Sequence, residues 1–113
     1  MSKTSGILFV ISAVFAMRSA AAADQAQMDR IVAAVHKDTA TQSCLRRNAP
    51  HFQSIDIDDP NALADLVTAC AQVARAFVAA QCASQDADCR AQAGVAMLVA
   101  AREAIEKARA SRR

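Results

Sequence analysis

The chain has 113 residues, 54% of them hydrophobic but only 4% aromatic, and a formal net charge of +2. Lys3 and Arg18 account for that excess: from residue 24 onward 11 basic residues balance 11 acidic ones, which argues against nucleic acid as a partner. The absence of tryptophan and tyrosine counts against sugar binding or a large ligand pocket.

The opening stretch, MSKTSGILFVISAVFAMRSAAAADQ, has the three-part layout of a secretory signal peptide. Lys3 supplies the positive region, and Gly6 to Met17 is an uncharged, mostly apolar run. Ala21 and Ala23 stand at the small-residue positions before a cleavage point at Asp24. The run is too short for a bilayer-spanning helix, which takes about 20 residues. The expected mature chain, 24–113, is one domain with no membrane span. Export to the periplasm is the first expectation and the extracellular medium the second. Arginine outnumbers lysine ten to three and alanine dominates, a bias associated with GC-rich bacterial genomes.

The mature part has 23 alanines against 19 larger apolar residues. Alanine favours helix but adds little burial. The composition therefore predicts an all-α fold, a bundle of three helices (four if the first one breaks) approaching closely around a thin core. Such a small domain needs covalent staples or a partner subunit.

The first helix is expected over about 25–48. Met28, Ile31, Val32 and Val35 recur at helical spacing, followed by Cys44 and Leu45. Thr39 and Thr41 weaken its middle, where a break would fall. Asn48 and Pro50 end it, and Arg46 and Arg47 suit the negative end of the helix dipole. A linker with Ile55 and Ile57 turned under the helices comes next. The second helix, about 60–83, starts cleanly: Asp59 is the N-cap and Pro60 takes the first helical position. Leu63, Leu66, Val67, Cys70, Val73, Ala74, Phe77 and Val78 form its apolar stripe. The third helix, about 87–110, is capped by Asp86 or Asp88. Val95, Leu98, Val99, the stem of Arg102 and Ile105 mark its expected buried side. Gly94 lies among small residues, which suggests a close helix contact or a kink. Glu103 and Lys107 form an expected i,i+4 pair.

Four cysteines, Cys44, Cys70, Cys82 and Cys89, in a small exported domain read as two disulfides. A redox pair would need C-x-x-C. Zinc would need a closer cysteine pair or more histidines than His36 and His51. Cys70 and Cys82, on one helix, are about 18 Å apart at 1.5 Å per residue, too far to bridge. A hairpin between the second and third helices puts Cys82 level with Cys89. The expected pairs are Cys82–Cys89 and Cys44–Cys70.

No nucleophile elbow, supported serine or paired catalytic carboxylates are visible. His36 and His51 read as surface histidines. Asp56, Asp58 and Asp59 stand in a loop faintly like a calcium loop but without its glycine and final glutamate, so capping explains them better. No cofactor or metal is expected. The basic end, Lys107, Arg109, Arg112 and Arg113, could touch anionic lipid or an acidic partner. Size and compartment are similar to those of acid-stress chaperones and of immunity proteins against secreted toxins. No motif is shared with them, and the likeness implies only that such scaffolds bind other proteins. The expected function is non-catalytic binding of a protein partner, or of a second copy. An acid- or stress-responsive chaperone, or a small hydrolase using the Asp56–Asp59 loop, are the alternatives.

Overall fold

The computed structural model describes residues 24–112, so the expected signal peptide at 1–23 and Arg113 lie outside the described residues. Its elements are α1 (24–37), α2 (Thr39–Asn48), a 3-10 turn (Ala49–Phe52), α3 (Pro60–Ala69), α4 (Ala71–Gln81) and α5 (Ala87–Ser111). The fold is all-α, with no strand among the described residues. The sequence predicts three or four helices and the described residues form five α-helices, because two of the expected helices are each broken once.

The first break falls at Asp38, whose backbone is extended (φ −79°, ψ 98°). Local side chains stabilise it. The buried Thr41 hydroxyl donates to the Asp38 carboxylate at 2.6 Å, and the Gln42 amide donates to the Val35 carbonyl at 2.9 Å. The Val35 carbonyl, which also accepts from the Asp38 N–H at 3.3 Å, is thus held by α2 as well as by the break itself. The second break is at Cys70 (φ −112°, ψ 27°), which both ends α3 and starts α4. Just before it, the Thr68 hydroxyl donates back to the Ala64 carbonyl at 2.8 Å, a bond type that bends helices. The axes of α3 and α4 differ by 96°. The expected continuous helix over 60–83 is therefore corrected to a bent arch. Its apolar stripe still faces inward on both sides of the bend: Leu63, Leu66, Cys70, Ala74 and Phe77 are buried.

α5 is the central element, packed against α2, the 3-10 turn, α3 and α4. Gln92 reaches the Asp24 carbonyl and His36 reaches Glu103, so α1 runs in the same sense as α5. The arch returns in the opposite sense, from Asp58 beside Arg102 to Cys82 beside Cys89. The buried side of α5 is Ala93, Ala96, Met97, Ala100, Ala101 and Ile105. This corrects the expected side: Ile105 is buried and Leu98 and Val99 are half-buried, but Val95 is 50% exposed and Arg102 lies on the surface. The large residues of the neighbouring helices fill the core, and the alanines of α5 let those helices approach. The Gly94 expectation is also corrected. It is exposed, and a Cβ there would meet nothing within 4 Å. No single helix among the described residues is long and apolar enough to cross a membrane.

Candidate binding groove

The cysteines form two pairs. Cys44 and Cys70 have Cα atoms 5.9 Å apart, and Cys82 and Cys89 have theirs 5.7 Å apart, both within the usual disulfide range. α4 runs unbroken between its flanking residues Cys70 and Cys82, which keeps those two cysteines apart although the longer helix is bent. The Cys44–Cys70 pair ties α2 to the apex of the arch. Asn48 sits over it, donating to the Cys44 carbonyl at 2.8 Å. The Cys82–Cys89 pair closes the α4–α5 turn, where the Asp86 carboxylate caps α5 by accepting from the Cys89 N–H at 3.0 Å.

The three loop aspartates are each engaged locally. Asp56 accepts from the Asp58 N–H at 2.9 Å, Asp58 faces Arg102 at 3.2 Å, and Asp59 caps α3 through the Asn61 N–H at 3.0 Å. They serve a turn, an ion pair and a cap rather than converging on one point. Among the described residues no group of three His, Cys, Asp or Glu side chains is placed to hold a metal ion. His51 is exposed in the 3-10 turn. His36, also exposed, meets Glu103 at 2.8 Å across the α1–α5 contact. Glu103 therefore points to His36 instead of the expected Lys107.

The basic end of α5 divides. Arg109 turns inward and donates to the Gln53 carbonyl at 2.9 Å and to the Ile55 carbonyl at 2.6 Å. It is a clasp on the interhelical loop, which corrects its expected place on a free basic surface. Lys107 and Arg112 instead join Arg46 around a hollow of about 370 Å³ between α2 and α5.

A more apolar hollow opens between α4 and α5, next to the Cys82–Cys89 staple. It measures about 460 Å³ and is floored by Val67, Ala74, Val78, Ala79, Gly94 and Met97. Arg75 stands on the α4 wall and Arg90 on the α5 wall. Neither pairs with a carboxylate among the described residues. Val95, 50% exposed, follows Gly94 on α5 but is not among the residues that line the hollow.

Reading the sequence alone does not single out Arg75 or Arg90 and assigns Gly94 to a contact. A signal was present: Arg90 and Gly94 stand four apart on α5, hence on one face, and a lone glycine interrupts an alanine-rich helix. Which face that is depends on how α4 is seated. No protein-family model, no curated protein and no solved structure matches the chain.

Proposed function

We propose that the protein is exported to the periplasm, loses residues 1–23, and acts there without catalysis by holding an apolar segment of a protein partner in the α4–α5 groove. The groove carries this reading: a largely apolar, solvent-open hollow of about 460 Å³ in a molecule with few large apolar residues to spare. A concave, mostly apolar hollow of this volume with a few polar groups at its walls is the usual form of a binding site. Export is supported by the apolar N-terminal run and by the two disulfides, which persist in oxidising compartments.

The test places a photo-crosslinking residue at Ala79 in the groove, and for comparison at Arg47 on α2, in cells expressing the full chain. Adducts should form from Ala79 but not from Arg47, in the periplasmic fraction. An adduct of twice the subunit mass would make the partner a second copy. Equal labelling from both positions, or none from Ala79, would reject the groove as the working surface.

A further inference from the structure

We infer that the segment accepted by the α4–α5 groove is a short amphipathic helix with acidic residues flanking its apolar stripe. This rests on the groove reading above and names the chemistry of its occupant.

Gly94 is the starting observation. Glycine inside a helix costs about 1 kcal/mol relative to alanine. The usual structural reasons for keeping one are absent: Gly94 does not have a positive φ, and a Cβ built on it meets nothing within 4 Å. Neither the helix nor its packing needs a glycine there. What the missing side chain does is keep the floor of the groove clear, letting an incoming surface come close to the α5 backbone.

The walls define the occupant's charge. Arg75 and Arg90 flank the apolar floor, and no carboxylate lines the groove. They stand on different helices and at different depths. Arg90 adjoins the staple, while Arg75 lies seven residues, roughly 10 Å, from Cys82 along α4. Two acidic side chains on opposite flanks of one segment would give each arginine its own partner.

The dimensions define its backbone. Along α5 the lining runs from Arg90 to Met97, two helical turns, which matches the span of anchors at i, i+4 and i+7 on a docking helix. No strand among the described residues offers an open edge, so an added β-strand has no ladder to join. Recognition must come from side chains, as in helix-in-groove binding.

The experiment uses the full mature chain and three fluorescent peptides of helical design. All carry leucines at i, i+3, i+4 and i+7; they differ only in having glutamate, glutamine or lysine on both flanks. Affinity is read by anisotropy at low and moderate salt. The glutamate peptide should bind best and the lysine peptide worst. Arg75→Glu with Arg90→Glu should weaken the glutamate peptide by about tenfold or more and favour the lysine one. Gly94→Leu should abolish binding, and Gly94→Ala should weaken it to a smaller extent. Circular dichroism and melting should show Gly94→Leu folded at least as well as the wild type. Equal binding of all three peptides, lost in Gly94→Leu, would overturn the acidic partner and leave the groove reading standing. Binding by none, or binding unaffected by Gly94→Leu, would overturn both.

Discussion

Arg109 shows how little a residue's type says about its duty. By composition it belongs to a basic helix end. In the structure it is half-buried, with its guanidinium donating to the carbonyls of Gln53 and Ile55. Charge-assisted bonds of this sort contribute about 1.5–3 kcal/mol. Arg109→Ala should therefore lower stability in urea denaturation by about 2 kcal/mol, whereas surface changes are usually within about 0.5 kcal/mol. Arg109→Lys should recover only part, because an ammonium lacks the fork that spans two carbonyls. A loss for Arg109→Ala no larger than for Arg112→Ala would contradict the clasp. Gly94 makes the opposite case, a residue that the fold does not require. Gly94→Ala should raise stability by about 0.5–1 kcal/mol, since its Cβ enters open space and the unfolded chain loses freedom. A lower melting temperature for that variant would mean that the helix packs there after all.

Among the elements, the breaks at Asp38 and Cys70 decide how the chain folds back on itself. Thr39 and Thr41 signal a weak point near the first. The second lies within a stripe that is periodic from Leu63 to Val78, and periodicity alone does not report a bend that keeps the same face inward. The staples act on these elements differently. Cys82–Cys89 closes a short loop, and Cys44–Cys70 ties α2 to the arch over a sequence separation of 26. Chain entropy assigns about 2.5 kcal/mol to the first and about 3.5 kcal/mol to the second. Replacing each pair by serines should lower stability in that order, with Cys44→Ser/Cys70→Ser the more damaging. Non-reducing peptide mapping should recover 44 with 70 and 82 with 89. Equal losses from the two double variants would show that loop closure is not what the staples contribute.

For the molecule as a whole, the decisive feature is that α5 is wrapped by its neighbours on an alanine face. Ala93, Ala96 and Ala101 are 0% exposed, so added bulk has nowhere to go. Ala96→Leu should cost about 1–3 kcal/mol by overpacking, while Val95→Leu, one residue away, should change stability by less than about 0.5 kcal/mol. Thermal melts of the two variants check this directly. If Val95→Leu proved the more damaging, α5 would be rotated toward the side on which Val95 lies. The same orientation exposes Gly94 and brings it with Arg90 to the hollow that Arg75 also lines, so the groove and the core are two consequences of one packing choice.

Much was legible from local chemistry. Helix class follows from alanine content and 3.6-residue periodicity. The caps at Asp59 and Asp86, the start at Pro60 and the level of Cys82 with Cys89 depend on residues close in sequence. The inward stripe of α3 and α4 was also readable, because its large side chains mark their own face. The rotation of α5 was not. Met97 and Ile105 share the buried side with the alanines, whereas Val95 is exposed and Leu98 and Val99 are half-buried, so its large residues mark no single face, and which side is buried depends on the bulk its neighbours bring. For the same reason the inward turn of Arg109, the His36–Glu103 contact and the clear floor at Gly94 were decided only by tertiary structure: each involves partners 15 to 67 residues away, whose positions are set by how the bent helices pack around α5.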